Sequence, residues 1–169
     1  MELEDILFDL DDEELINSDG EQYFLFLSGG DIYALPASNV IEIVEYQHIT
    51  KVPKLFSFIK GITNIRGEVI GVVDLLNRCG LGDTEITNRT SLVIVNTTQN
   101  DKKQTVALMI DEIYEVDGLD NDSISSAPSF GTKVKSSFIK NIARYNKMEI
   151  TVLDCDTLLS IDELSRIKD

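Results

Sequence analysis

Residues 57–75 read SFIKGITNIRGEVIGVVDL, and the same pattern returns 80 residues later, without a gap, as SFIKNIARYNKMEITVLDC at 137–155. Eight of the nineteen paired positions are identical: Ser57/Ser137, Phe58/Phe138, Ile59/Ile139, Lys60/Lys140, Ile62/Ile142, Ile70/Ile150, Val72/Val152 and Asp74/Asp154. Unrelated sequences would share about one residue in such a window, so the chain contains an internal repeat.

The repeat extends upstream when gaps of a few residues are allowed. The corresponding segments are 34–35 with 107–108, 40–43 with 113–116, and 49–53 with 124–128. The chain is therefore interpreted as two copies of a unit of roughly 75 residues, which is the size of a small barrel.

Charge is concentrated at one end of the chain. The 169 residues are 43% apolar and carry a formal net charge of -15, which is enough apolar content for a real core. Ten of the 30 acids lie in residues 1–21, which contain no base. An acidic chain without a basic run repels phosphate groups, so nucleic acids and anionic membrane surfaces are poor partners.

The sequence favours a cytoplasmic protein. It has no apolar run near the roughly 20 residues that a membrane span needs, and its N-terminus lacks the positive region of a signal peptide. Cys79 and Cys155 lack CxxC spacing, which favours free thiols in a reducing compartment.

The acidic head, residues 1–20, has two interpretations. Leu3, Ile6, Leu7 and Leu10 fall at helical spacing, although Phe8 interrupts the stripe. The head is either a solvated, mostly disordered tail or a docking segment that folds on a partner. The turn-rich residues 17–20 mark its boundary with the folded part.

Short strands separated by turns dominate the remainder. In the first unit we predict strands at 23–27 (buried on both faces), 32–35, 49–52, 62–65 and 69–73, with 38–45 either a strand or a helical turn. In the second unit we predict strands at 92–95 and 105–110, a hairpin equivalent to the first, and a long mobile surface loop at 118–136.

Each hairpin leads into an aspartate that is suited to cap a helix. Asp74 is predicted to cap a short helix ending at Gly80, and Asp154 or Asp156 to cap a C-terminal helix running to about Ile167. Together these patterns predict a mainly β protein built from two barrels of about five strands each.

The sequence gives little basis for enzymatic chemistry. His48 is the only histidine and is interpreted as a surface loop residue. No GxSxG, HExxH, P-loop or GxGxxG motif occurs, so we predict no catalytic residues, no metal site and no cofactor.

A charged group in the first hairpin is the better functional candidate. Arg66 lies at the tight turn, where Gly67 is expected to supply a positive φ, and the second unit has Asn146 in the position of Arg66. Lys60 is shared with Lys140 and is suited to a role in the fold. Arg66 belongs to one copy, and arginine is frequent in protein interfaces.

The same residues resemble the CheW-like chemotaxis coupling proteins. The resemblance rests on FIKGITNIRGEVI at 58–70 with 72–75, on 34–36 with Val40 and 42–43, on 49–53, and on 152–154 with 158–159. It covers about residues 21–167 and implies a single domain, 21–169, of two intertwined SH3-like five-stranded barrels around a shared apolar core. The barrels are expected at about 30–88 and 90–167, with strand 22–28 at their junction.

The resemblance also implies a function and its sites. It implies an adaptor without enzymatic activity that joins the cytoplasmic tip of methyl-accepting chemotaxis receptors to the CheW-like regulatory domain of the chemotaxis histidine kinase. The receptor-binding positions that it implies are Val40, Glu42, Ile43, Lys60, Gly61 and Arg66. Kinase contact is expected around Ile113 and Val116.

Departures from the family pattern keep other interpretations open. The family usually has proline at the position of Gly71 and glycine at that of Asn141, and the acidic head has no counterpart. The alternatives are an adaptor of a twitching, gliding or other chemosensory pathway, an oligonucleotide-binding barrel, which would need a basic groove with aromatic platforms, and an enzyme with an unrecognised site.

Overall fold

The computed structural model describes residues 22–99, 101–118, 124–126 and 133–160. Eleven strands account for most of this part of the chain. The first five are β1 (Gln22–Ser28), β2 (Asp31–Pro36), β3 (Val40–Glu45), β4 (Ile59–Ile65) and β5 (Glu68–Asp74). The others are β6 (Ser91–Gln99), β7 (Lys102–Ile110), β8 (Glu112–Gly118), β9 (Ile124–Ser126), β10 (Ile139–Tyr145) and β11 (Met148–Leu153).

Each of the two sheets combines strands from both units. The six-stranded sheet has the order β8-β1-β2-β11-β10-β9, and the five-stranded sheet has the order β3-β6-β7-β5-β4. The β1-β2 hairpin of the first unit therefore lies among second-unit strands, and the β6-β7 hairpin lies among first-unit strands. The prediction of a mainly β, intertwined fold is confirmed.

The two sheets are assembled in the same way, as the repeat requires. Within each sheet, one parallel pairing attaches a hairpin of one unit to a hairpin of the other: Val72 pairs with Ala107 in the five-stranded sheet, and Val152 pairs with Ala34 in the six-stranded sheet. Asp74 N donates to Phe58 O and Asp154 N donates to Phe138 O, at 2.8 Å in both cases. The chain is thus pseudo-symmetric down to single hydrogen bonds.

The apolar core has three layers, because residues of the central strands alternate between two buried faces. One cluster fills the space between the sheets and includes Phe24, Leu35, Val93 and Leu108. A second lies on the opposite face of the six-stranded sheet, and a third lies on the opposite face of the five-stranded sheet. The predicted two-sided burial of residues 23–27 is confirmed for Tyr23 to Phe26, which are 0–2% exposed.

Two short helices follow the hairpins at the predicted places. α1 (Leu75–Arg78) is capped by Asp74, and α2 (Cys155–Leu158) is capped by Asp154. α2 is shorter than predicted, since Leu159 takes the non-helical angles φ -116° and ψ 50°. Residues 161–169 and the acidic head lie outside the described residues. Within the described residues, no helix is long and apolar enough to cross a bilayer.

Two local predictions are wrong. Residues 49–52 form no strand, because only Thr50 pairs with a neighbour, Ile62. Residues 118–136 are not wholly irregular, because β9 pairs with β10 through Ser125 and Ile142. Both corrections describe one feature, since Thr50 with Ile62 and Ser125 with Ile142 are equivalent pairs of the repeat.

Candidate functional site

The first barrel is closed by contacts between residues 47–50 and the strand β4, which we call the seam. β3 and β4 are the two edges of the five-stranded sheet. Gln47 Nε2 donates to Thr63 Oγ1 at 2.8 Å and to Asn64 O at 2.7 Å, and Thr63 Oγ1 donates to His48 O at 2.9 Å. These bonds join the two edges, so the seam gives the surface around it a fixed shape.

Arg66 lies at the outer end of the seam. It occupies the first turn position with φ 53°, and Gly67 follows with φ 87°, which together match a type I′ hairpin turn. The prediction that Gly67 takes a positive φ is confirmed, although Arg66 takes one as well. Arg66 Nη2 lies 2.9 Å from Glu42 Oε2, and the two side chains are 70% and 14% exposed. The hairpin thus presents an exposed guanidinium beside a partly buried carboxylate.

Lys60 belongs to a polar cluster at the inner end of the same hairpin. Its Nζ lies 2.8 Å from Asp83 Oδ1 and 3.9 Å from Asp74 Oδ2. Asn77 Nδ2 also donates to Asp83 Oδ1, at 2.5 Å. The hydrogen bonds from Lys60 and then Asn77 lower the pKa of the Asp83 carboxyl below its usual 3.8. Asp83 is therefore ionised at neutral pH and holds the Lys60 ammonium in place.

Asp74 connects this cluster to the fold. Its buried carboxylate accepts hydrogen bonds from Leu76 N at 3.1 Å and from Thr84 N and Oγ1 at 2.9 and 2.6 Å. One side chain thus caps α1 and fixes the connector that carries Asp83.

The six predicted receptor-binding residues differ in exposure. Arg66 is exposed, whereas Val40, Glu42 and Lys60 are partly buried. Ile43 is 1% exposed in the central core cluster. Gly61 is buried, and a Cβ there would lie 2.1 Å from Thr50 O across the seam. The structure brings Glu42 and Arg66 into contact and places Ile43 and Gly61 beneath the surface.

The predicted kinase-binding residues lie on β8 at the edge of the other sheet. Ile113 packs partly buried against the central core, with its backbone opposite Phe26. Val116 lies opposite Phe24. These positions are equivalent to Val40 and Ile43 in the repeat.

Sequence reasoning missed two exposed apolar residues at equivalent β-bulges. Ile41 lies at the register shift between Val40 and Glu42 and is 47% exposed. Tyr114 lies at the shift between Ile113 and Glu115 and is 41% exposed. A bulge turns the side chain of its extra residue out of the regular alternation. The alignment of 40–43 with 113–116 could have identified this pair, because it places one large apolar residue, Ile41, opposite another, Tyr114.

A pocket of about 250 Å³ lies between Lys60 and the connector after α1, and was also missed. Four apolar or aromatic residues and four polar or charged ones line it: Tyr46, Ile49, Ile86 and Met109, with Lys51, Lys60, Asp83 and Thr84.

The described residues offer little reactive chemistry. No group of three or more His, Cys, Asp and Glu residues among them is placed to hold a metal ion. Cys79 and Cys155 are free thiols, and burial raises their pKa values to about 11 and 12. Thiols with such pKa values are almost entirely protonated at neutral pH and are poor nucleophiles.

Comparison with known proteins identifies the family. The family model described as CheW-like domain matches residues 22–163. The chain belongs to the CheW-like family. The CheW-like match spans both sheets and includes every residue of the seam.

Curated relatives and a solved structure agree with this assignment. The chemotaxis protein CheW of Bacillus subtilis is 29% identical over 140 residues, which cover 83% of this chain and 87% of the relative. Protein FrzA of Myxococcus xanthus is 36% identical over 74 residues, 44% of this chain and 46% of the relative. The crystal structure of the scaffolding protein TtCheW from Thermoanaerobacter tengcongensis gives a TM-score of 0.76 at 28% identity, covering 87% of this chain and 92% of that one.

Proposed function

We propose that this CheW-like protein is a non-enzymatic cytoplasmic scaffold that couples methyl-accepting chemotaxis receptors to the chemotaxis histidine kinase. Its work is to present two protein-binding surfaces on one rigid body. Two modest interfaces that are engaged together give an avidity that neither gives alone. Family membership and the similarity to a scaffolding protein support the proposal, and it requires no cofactor.

The observation that carries the receptor surface is the Arg66–Glu42 pair, with an exposed apolar residue next to Glu42 in the chain. Arg66 is 70% exposed on a rigid turn, and Ile41 precedes Glu42 on β3. Arginine is enriched among the residues that dominate interface energies. We propose that Arg66, Glu42, Val40 and Lys60 contact the receptor, and that Ile43 and Gly61 hold them in position from below.

The receptor surface is tested with Arg66→Glu. The substitution reverses an exposed charge, so we expect receptor binding in a pull-down to fall at least tenfold while kinase binding is retained. The new carboxylate would also face Glu42, so the paired variant Glu42→Arg/Arg66→Glu serves as the matched control. It restores an ion pair at the seam but leaves the surface charges exchanged.

Three outcomes decide the assignment. Weak receptor binding by both variants, with unchanged melting temperatures, supports direct contact by Arg66. Full recovery in the paired variant shows that the pair only maintains the barrel, and unchanged binding by Arg66→Glu removes this residue from the site.

We propose that the kinase surface is formed around Ile113 and Val116 on β8. Ile113→Asp is expected to weaken kinase binding, but Ile113 packs against the core, so loss of folding is a competing result. Tyr114→Ser is the companion variant, since Tyr114 is 41% exposed. We expect it to fold normally and to weaken kinase binding while leaving receptor binding unchanged. If Tyr114→Ser binds the kinase as tightly as the unaltered protein does, the kinase surface lies elsewhere.

The alternative function keeps the scaffold and changes the pathway. An adaptor of a twitching, gliding or other chemosensory system would have the same fold and the same two surfaces. Co-purification of the tagged protein from its own cells, followed by mass spectrometry, distinguishes the two. Recovery of chemotaxis receptors and their kinase supports the first proposal, and recovery of a different receptor class supports the second.

A further inference from the structure

One region of the second unit has the opposite charge to the rest of the chain. Residues 133–160 carry five bases and three acids, whereas residues 22–118 carry eight bases and twelve acids. All five bases are exposed. We call them the basic face: Lys133, Lys135, Lys140, Arg144 and Lys147.

The repeat shows that the fold does not require two of these charges. Three of the five, Lys140, Arg144 and Lys147, lie within the ungapped repeat, where their equivalents are Lys60, Asn64 and Gly67. The first unit forms its hairpin without the charges of Arg144 and Lys147, so these two are suited to a role outside folding.

The acidic head enters the fold in the same sheet, level with one end of the basic face. In the six-stranded sheet, Tyr23 at the start of β1 pairs with Pro36 at the end of β2. β2 runs parallel to β11, whose last residue, Leu153, pairs with Ile139. The register therefore places Gln22 level with the start of β10, where Lys140 lies. Lys147, in the β10–β11 turn, and Lys133, which pairs with Asp31 at the start of β2, lie at the opposite end of the sheet.

The distance between Gln22 and the near end of the basic face is short. Only β2 and β11 separate β1 from β10, and three strand spacings amount to about 14 Å. The length of β10 adds about 20–25 Å before the turn that holds Lys147. An extended chain spans up to about 3.3–3.6 Å per residue, so the 20 residues of the head can reach both ends of the basic face.

We propose that the acidic head, residues 1–20, docks on the basic face of its own chain. The head carries nine acids and no base, and the basic face is the region of described residues with the complementary charge. Opposite charges held at a short distance by the sheet attract each other at a high effective concentration. The attraction is screened by salt, because the Debye length falls from about 10 Å at 0.1 M to about 3 Å at 1 M.

Zero-length carbodiimide crosslinking of the full-length protein tests this proposal. The reagent joins a carboxylate to a lysine amine only when the two are in contact. The sample is an equal mixture of 14N- and 15N-labelled chains, so that mass spectrometry separates links within one chain from links between two. Lys51 and Lys54 are the matched controls, because both are exposed but follow Thr50, which pairs with the edge strand β4 of the other sheet.

We expect links within one chain from head carboxylates to Lys135, Lys140 and Lys147, at least tenfold more frequent than links to Lys51 and Lys54. The variant Asp11→Asn/Asp12→Asn/Glu13→Gln/Glu14→Gln and a buffer of about 1 M salt should each reduce them several-fold. Equal linking to Lys51 and Lys54 would overturn the proposal, because it would show an unattached head. Links mainly between 14N and 15N chains would also overturn it, because the head would then bind a second copy.

Discussion

Gly61 and Gly71 lie in the same hairpin under opposite constraints. Gly61 has φ 142°, and a Cβ on it would lie 2.1 Å from Thr50 O in the seam. Gly71 has no atom within 4 Å of the site where its Cβ would be, and its φ is not in the positive range. One glycine is thus required by a close backbone approach, whereas the other only adds freedom to the unfolded chain.

This contrast predicts opposite effects of one substitution. Gly61→Ala should lower the free energy of unfolding by about 2–4 kcal/mol, because the seam must open to admit a methyl group. Gly71→Ala should raise it by about 0.5–1 kcal/mol. Urea denaturation of both variants measures the two effects. A stable Gly61→Ala protein would show that the seam is not rigid.

The Lys60–Asp83 pair makes a prediction about pH. The pKa of Asp83 is lower in the folded protein than its usual 3.8. Its contribution to stability is therefore present above that usual value and is lost as the pH falls through the lowered folded value. Lys60→Met should raise the pKa of Asp83, as measured by carboxyl NMR titration, whereas Lys54→Met, an exposed control, should not. An unchanged Asp83 titration in Lys60→Met would show that the pair does not form in solution.

Sequence comparison predicted some residues of the site and not others for a physical reason. Arg66 was identified because the second unit has Asn146 at its position, and the amino-acid sequence shows this difference without any structural information. The burial of Ile43 and the exposure of Ile41 depend on the bulge after Val40. A bulge reverses the alternation of side chains without a required residue type.

At the scale of elements, the two hairpins reach the same turn with different residues. The turn residues Arg66 and Gly67 have φ values of 53° and 87°, and Asn146 and Lys147 have 48° and 66°. A type I′ turn favours asparagine followed by glycine, so each hairpin has one favoured residue.

Exchanging the second turn residue should therefore have reciprocal effects. Lys147→Gly should stabilise the protein by about 0.5–1 kcal/mol, since it removes a side chain from a left-handed conformation. Gly67→Lys should destabilise it by a similar amount. Thermal unfolding of the two variants measures both changes. Shifts of the same sign would mean that contacts outside the turns decide their stability.

Hydrophobic runs and capping residues predicted most of the strands and helices. The elements that they did not predict are segments with few pairing partners. β1 and β2 are apolar runs between turn residues, and both hairpins have β-branched and other apolar residues on either side of a tight turn, so their positions were predicted. Thr50 and β9 are held by single residues or three-residue ladders against β4 and β10. Such short pairings depend on the partner strand more than on their own sequence.

At the scale of the whole molecule, Arg78 joins the two units on their pseudo-symmetry axis. Its guanidinium lies 4.6 Å from the Phe58 ring centre and 4.7 Å from that of Phe138, which are equivalent residues. Arg78 Nε donates to Leu158 O at 2.6 Å. Leu158 is the residue equivalent to Arg78 itself, so one unit supplies a cation that both units bind.

Replacing this arginine should weaken the whole molecule. Arg78→Met removes two cation–π contacts and a charged hydrogen bond, and we expect the free energy of unfolding to fall by about 2–4 kcal/mol. Arg89→Met is the control, because the Arg89 side chain is 75% exposed and, within the described part of the chain, pairs only with Glu112. Arg89→Met should lower the free energy of unfolding by less than about 1 kcal/mol. Similar losses in both variants, measured by urea denaturation, would contradict the role of Arg78.

The repeat alone predicts two units but not which sheet receives each hairpin. A hairpin paired within its own unit and one exchanged with the other unit satisfy the same alternation of side chains. The prediction that the hairpins are exchanged depended on the family resemblance. The order of the strands in the two sheets shows this exchange.

The exchange of hairpins also governs how the protein can be made. β2 near the start of the chain pairs with β11, about 120 residues later, so the six-stranded sheet cannot be completed until nearly all of the described chain has left the ribosome. Pairings of such long sequence separation slow folding. A nascent chain that ends in the connector after α1 would expose the unpaired edge of β5, which is a site for misassembly until β7 arrives. We therefore expect the protein to fold more efficiently when it is translated as one chain than when it is assembled from separate halves.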